Sequence, residues 1–417
     1  MNTLSTKKTK DKVSTNIKSN LIRLGSSLML PISIIPFAAL LLGIATFFPS
    51  HSVFGNLLSS VAYIPIRLLP LLFALSIVNT WTNESGKAVF NTLILFMGSY
   101  VFGVYFASEF FWYQETQIAF FNSTFKGFFV AFIAIQLHKQ TTSPSLFLVA
   151  SVFLGAFEAL LFWPIVIALE SVGESMAYMP ASTNMFMYGF LNRLLLPFGM
   201  HTVLFPPVLY GPIGGTLEIY STSGQLVDVV YGNSNIWRIV IEEGINFEEI
   251  YDTGLVEANG LVYSFALNSN LGGYVQGFMP IMYFGFPAAG YAMYRSIDDK
   301  KIGKLVILAS FTPLLTGVTE PFEFIFAFTT PIMYFTHSLF TGLSFMLMDL
   351  SGASIGMSTG WILDPFLFGV AADVRGMSAN TWVLFAIGPL IGAMYYLSFS
   401  RIDWNNKVNV KGYNYSS

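Results

Sequence analysis

TPLLTGVTEPFEFIFAFTTP, from Thr312 to Pro331, sets Pro313, Gly317, Pro321 and Pro331 into a strongly apolar run with Thr319, Glu320 and Glu323 at its centre. Proline removes a helical hydrogen bond and glycine lets the backbone turn, so the run reads as a broken helix rather than a continuous one. A carboxylate among apolar residues is costly unless it finds a hydrogen-bond partner, a proton or a polar ligand. Two readings stand open for the acidic pair: both grip a polar guest, or one ties the helix break while the other faces a loop.

The composition decides which solvent surrounds this break. The 417 residues are 54% hydrophobic and 17% aromatic, and only 10% are Asp, Glu, Lys or Arg. Soluble domains carry about 25% charge, whereas a surface facing lipid needs almost none. The bilayer is therefore the expected main solvent, with 35 Gly available for close helix approach and 42 Phe for lipid-facing surface. The absence of Cys excludes disulfides, thiolate metal sites, cysteine nucleophiles and a phosphocysteine on these residues. No cofactor and no metal ion is expected.

Outward from the break, apolar segments of spanning length are expected at 28–48, 57–80, 88–106, 145–170, 176–198, 271–294, 302–317, 331–348 and 379–399. With 116–138 they make about ten. The segment 116–138 holds Gln117, Lys126, Gln136 and His138, so it lies either in the interface or inside the bundle. Lys7, Lys8, Lys10, Lys12, Lys18 and Arg23 against Asp11 predict a cytoplasmic amino terminus and a topology signal rather than a nucleic-acid-binding tail. The stretch from Gly211 to Gly260 is acidic and reads as a long extracytoplasmic loop, while Arg295 to Lys304 reads as cytoplasmic. Both assignments hold only if at least one earlier segment is re-entrant or interfacial.

A second break is expected where Pro197 and Gly199 interrupt the run from Arg193 to His201, and again through Pro206, Pro207, Pro212, Gly214 and Gly215. Irregular backbone at membrane depth is tolerated only where it is buried in protein or lines a cavity, so the two breaks together mark a pathway. His201 could hold or deprotonate a hydroxyl, or be a satisfied interior histidine. Arg193 either pairs with Glu170 or Glu174 or faces a substrate or phosphate. Glu158 and Asp364 are weaker candidates with bundle-internal alternatives. His51 and His337 read as interior residues, His138 as interfacial, and Trp163 and Trp361 as packing or interface residues.

Four stretches resemble a known family. Gly317-Val-Thr-Glu-Pro-Phe-Glu-Phe324 resembles the Gly-x-Thr-Glu-Pro-x-Glu-Phe motif of enzyme IIC in the glucose branch of the phosphotransferase system. Leu24 to Pro31 and onward to Gly43 is similar to its first span, Tyr188 to His201 to its central histidine motif, and Gln276 to Ala289 adds a fourth match. The resemblance implies an all-α membrane protein with about ten transmembrane helices plus two re-entrant hairpins, the glucose-superfamily enzyme IIC fold. It implies a homodimer, with residues 25–175 as the dimerising half and 176–405 as the sugar-binding and transporting half, between a basic tail at 1–24 and a short tail at 406–417.

By the same resemblance Glu320 and His201 are the candidate catalytic residues, and Arg193, His201, Thr319, Glu320 and Glu323 the candidate sugar-binding residues. The implied function is a sugar-translocating permease in the plasma membrane, importing a glucose-type hexose or N-acetylglucosamine. A separate phosphorylated IIB protein would phosphorylate the sugar, making the chain a sugar phosphotransferase only together with that partner. The chain departs from the family pattern at Thr202 after His201, at Asn192 where Glu is frequent, and in the acidic insertion near 241–257. A passive sugar facilitator and a membrane sugar sensor are the alternative functions.

Overall fold

The computed structural model describes residues 52–82, 85–111, 119–201, 207–317, 319–356 and 362–404, with Ser27, Pro31, Ile34 and Leu41 besides. The basic tail, most of the first expected span, His51, Thr202, Pro206, Trp361 and the tail after residue 404 lie outside the described residues.

The first half is built of long apolar helices. Helices α1 (Val53–Arg67) and α2 (Leu69–Trp81) follow each other almost without interruption. Then come α3 (Ser85–Phe111), α4 (Thr124–His138) and α5 (Pro144–Ala177). Small residues let α3 and α5 approach until their backbones touch: a Cβ on Gly98 would lie 2.1 Å from Ser151 Oγ, and one on Gly155 2.7 Å from the Gly103 nitrogen. Lys126 of α4 is buried, its Nζ 2.8 Å from Glu158 Oε2 on α5. The rings of Phe96, Tyr100 and Phe121 surround that ammonium at 5.3 to 5.8 Å. Of the two readings of 116–138, the bundle interior is where Lys126 sits. Losing either charge alone would strand the other in the bundle, at about 3–5 kcal/mol.

The second half is shorter in its pieces. It comprises α6 (Ala181–Leu195), then, beyond an inserted module, helical turns over 273–285 leading into α9 (Phe286–Ser296). There follow α10 (Lys300–Thr316), α11 (Glu320–Thr329), α12 (Pro331–Leu350) and α13 (Val383–Phe399). Helices α6 and α12 lie against each other through glycine, since a Cβ on Gly342 would meet the Phe186 carbonyl oxygen at 2.7 Å. Tyr188, Tyr274, Phe278 and Phe345 form an edge-to-face cluster beside this contact, with centroids 4.6 to 5.5 Å apart.

The expectation of an all-α chain with about ten transmembrane helices plus two re-entrant hairpins is overturned. Among the described residues three helices are long and apolar enough to cross a membrane: Val53–Trp81, Gly86–Phe111 and Pro144–Met176. The physical reason lies in how the other apolar runs are cut. Pro197, Gly317 and Pro331 cut several of them into helices of 17 residues or fewer, the helical stretch over 278–296 mixes Pro280, Gly285, Pro287, Gly290 and Arg295 into its apolar residues, and α12 carries Thr336, His337, Ser338, Thr341, Ser344 and Asp349. Much of the apolar content that counted toward spans instead packs these pieces on one another.

Nor is the chain all helical. The acidic stretch after Gly211 folds into an antiparallel sheet of β1 (Thr216–Ser221), β2 (Leu226–Tyr231), β3 (Leu255–Ala258) and β4 (Leu261–Ala266), ordered β2-β1-β4-β3. Helices α7 (Asn233–Glu243) and α8 (Phe247–Thr253) complete it. Leu217, Ile236, Trp237, Val240, Phe247 and Tyr263 form a core separate from that of the helices, which Leu271, Ala372, Met377 and Ala379 complete from outside the module. Its charges lie on the outside of a folded unit, not along a loop. Trp237 Nε1 donates to the Ser354 carbonyl at 3.3 Å, and Asn233 Oδ1 accepts from the Gly272 nitrogen at 2.8 Å. The module is thereby fastened to the segments on either side of the 273–285 turns and α12.

Candidate functional site

The two sequence breaks face each other. Helix α6 ends at Leu195, passes through a tight turn over Leu196–Phe198, and reverses at Gly199, whose φ is +70°. A Cβ on Gly199 would meet the Thr124 nitrogen at 2.6 Å, so the turn rests on the start of α4 and only glycine fits there. His201 follows at the end of this turn. On the other side α10 is closed by Gly317 at φ +73°, whose nitrogen donates to the Pro313 carbonyl at 2.8 Å. Helix α11 then starts with Glu320 and Glu323 in its first turn and a proline near its start.

Helix polarity explains the residue types. The open N–H groups at the start of α11 favour the carboxylates, and the open carbonyls at the end of α6 favour Arg193, which stands in its last turn. Arg193 Nη1 donates to Thr319 Oγ1 at 2.8 Å and lies 3.0 Å from Glu323 Oε1. Its guanidinium carbon is 4.2 Å from the centre of the Phe278 ring. Glu323, not Glu170 or Glu174, is therefore its ion-pair partner. The same Glu323 oxygen lies 3.2 Å from His337 Nε2, and His337 Nδ1 shares a hydrogen bond with the Tyr395 hydroxyl. The Tyr334 hydroxyl donates to the Arg193 carbonyl. His337, read from the sequence as an interior histidine, is fully buried and orients the carboxylate that holds Arg193.

Between the breaks lies a cavity of about 150 Å³. Arg193, His201, Thr319 and Glu320 contribute to its wall, together with Asn192, Leu196, Val275, Phe278, Met282 and Gly317. Glu323 does not; it stands behind Arg193 with no exposed surface. The candidate residues thus divide into four on the wall and one that fixes the guanidinium from the rear. Sequence reading did not single out Phe278 as a site residue, and gave Asn192 only as a departure from a family pattern. Phe278 falls within the Gln276 to Ala289 stretch, whose Gln276 also anchors the 353–355 segment through the Ala353 carbonyl at 2.9 Å and the Ile355 nitrogen at 3.0 Å.

The wall can donate hydrogen bonds from guanidinium, imidazole and amide groups, accept them at a carboxylate, and offer apolar surface from Phe278, Val275 and Met282. Among the described residues no group of three His, Asp or Glu side chains is placed to hold a metal ion. Such a wall suits a small neutral molecule with many hydroxyls and an apolar ring face.

The family model described as phosphotransferase system, EIIC, matches residues 25–342, about three quarters of the chain. The matched region contains the end of α6, the start of α11 and the cavity between them. By that match the protein belongs to the phosphotransferase system EIIC family, the sugar-permease component of that system.

Proposed function

We propose that the cavity between α6 and α11 is the sugar site, and that it takes one glucose-type hexose or N-acetylglucosamine. The observation that carries this reading is the meeting of Arg193, His201, Thr319 and Glu320 on one wall from stretches of chain more than a hundred residues apart. The volume of about 150 Å³ favours a single six-membered ring, since a void of that size is filled by one benzene molecule. Sugar hydroxyls would satisfy the Glu320 carboxylate and the Arg193 guanidinium in place of water.

In this proposal the sugar enters from outside, residues 176–405 carry it inward, and residues 25–175 hold two copies of the chain together in the plasma membrane with a cytoplasmic amino terminus. Phosphorylation then occurs at the inner face. The phosphorus–sulfur bond of a phosphocysteine on a separate IIB protein breaks, a phosphorus–oxygen bond to a sugar hydroxyl forms, and the hydroxyl proton passes to Glu320 or His201. The 417 residues hold no Cys, so the donor is not among them. The contribution of this chain is positioning of the hydroxyl and charge stabilisation by Arg193.

Vesicles containing the purified protein test the reading. With labelled glucose or N-acetylglucosamine outside and phosphorylated IIB inside, the label is expected to accumulate as sugar phosphate. Accumulation of free sugar at the same rate without IIB would instead identify a facilitator, and a bound regulator with no flux would identify a sensor.

A further inference from the structure

The ion pair that presents Arg193 to the cavity is one end of a longer chain of hydrogen bonds. Glu323 Oε1 lies 3.0 Å from Arg193 Nη1 and 3.2 Å from His337 Nε2, so a single oxygen serves both groups. An ionised carboxylate only accepts, which assigns the ring hydrogen of His337 to Nε2. In the neutral imidazole Nδ1 is then the acceptor, and the Tyr395 hydroxyl is its donor. That hydroxyl is also within hydrogen-bond reach of the Thr341 side chain. The rings of Phe286 and Phe326 flank the imidazole at 5.4 and 5.5 Å and offer it no further hydrogen bond. Arg193, Glu323, His337 and Tyr395 come from α6, α11, α12 and α13 in turn, and the last three have no exposed surface. Two bonds, one at each ring nitrogen, fix the plane of His337. A single bond to Glu323 would let the ring swing about it.

We propose that Tyr395 is a positioning residue for sugar recognition. Its hydroxyl sets the plane of His337, His337 sets the Glu323 carboxylate, and the carboxylate sets the guanidinium of Arg193 on the cavity wall. The inference rests on the cavity being the sugar site. Neither Tyr395 nor His337 lines that cavity, so neither touches the sugar. What they supply is preorganisation: a guanidinium already held in one place has less freedom left to lose when the sugar binds. Tyr395→Phe isolates this role, because the packing of the ring against Phe340 and Phe399, with centroids 5.3 and 5.8 Å away, does not involve the hydroxyl.

The test is equilibrium binding of labelled glucose and N-acetylglucosamine to full-length wild type, Tyr395→Phe, His337→Gln and His337→Leu. Melting without sugar and nitrogen NMR of histidine-labelled protein are measured alongside. The chain has four His, and the signals of His337 are those that vanish in His337→Gln. Wild type is expected to show a neutral ring with its hydrogen on Nε2. Tyr395→Phe should shift the Nδ1 signal and weaken binding of the sugar that wild type holds by about 3- to 10-fold, the worth of one hydrogen bond. His337→Leu, which keeps neither nitrogen, should weaken it by about 10-fold or more. The glutamine amide places a donor and an acceptor on one carbon as the imidazole does, so His337→Gln should recover most of the affinity lost in His337→Leu. Should the leucine variant fail to fold, Tyr395→Phe decides. An unchanged Nδ1 signal or an unchanged affinity in Tyr395→Phe, whatever its melting temperature, overturns the positioning role and leaves the sugar site standing. Equal losses in His337→Gln and His337→Leu overturn it likewise. Absence of binding of both sugars to wild type overturns both proposals.

Discussion

Arg193→Ala is expected to weaken monosaccharide binding by about 100-fold or more and to lower the melting temperature of the unliganded protein. The substitution removes the bond to Thr319, the ion pair to Glu323 at 3.0 Å and the cation over Phe278. It also leaves Glu323, which has no exposed surface, without its guanidinium partner, with His337 and Thr319 beside it. Breaking a buried pair from one side costs about 3–5 kcal/mol, most of it from the charge left behind. The double variant Arg193→Ala with Glu323→Gln should therefore regain much of the melting temperature while binding stays weak. Arg193→Lys should fall between, since an ammonium cannot reach Thr319 and Glu323 as the planar fork does. Recovery of binding in the double variant would show that Arg193 acts on the fold alone.

The second large effect is expected at a residue that does not line the cavity. A methyl group at Gly214 would lie 1.7 Å from the Val208 carbonyl oxygen and 2.7 Å from the Asn233 nitrogen, and both are backbone atoms that no rotamer change can move. Gly214→Ala should destabilise the module at 216–266 by about 3 kcal/mol or more. It should open that region to protease and shift the fluorescence of the buried Trp237. Asn233 also holds the Gly272 nitrogen and donates to the Asn270 carbonyl at 3.1 Å. The disturbance is thus passed to the turns over 273–285 that bring Val275 and Phe278 to the cavity. Gly86→Ala, where nothing lies within 4 Å of the added methyl, is the control and should change neither property.

Different parts of this protein were legible in the sequence to different degrees, for physical reasons that can be named. Both breaks were readable, because Gly199 and Gly317 occupy left-handed turns and Pro197 and Pro321 sit beside them, all local effects. Four of the wall residues, Arg193, His201, Thr319 and Glu320, are polar side chains placed at those breaks. The partner of Arg193 was not readable: Glu170 and Glu174 are nearer along the chain, but the pairing is decided by α6 packing on α12 and by α11 starting opposite the end of α6. His337 was placed correctly in the interior, yet its bond to Glu323 needs two helices whose register no spacing rule gives.

The span count failed because a hydropathy window cannot tell an apolar run that faces lipid from one cut by proline and packed inside. The runs around α9 and α11 are of the second kind. The sheet was missed although its signals are present. Thr216-Leu-Glu-Ile-Tyr-Ser221 and Leu226-Val-Asp-Val-Val-Tyr231 are rich in strand-forming residues around Gly224, but their acidic residues drew the reading toward a charged loop.

In the proposed function a sugar occupies the space between the end of α6 and the start of α11. The most direct measurement is binding of labelled glucose and N-acetylglucosamine to the purified protein, repeated for Glu320→Gln and His201→Ala. Saturable binding by wild type and a clear loss of affinity in both variants are expected, because Glu320→Gln replaces an acceptor oxygen and its charge with an amide donor and His201→Ala removes the imidazole from the cavity wall. Undiminished binding in both variants would contradict the proposed function and place the sugar elsewhere in the protein.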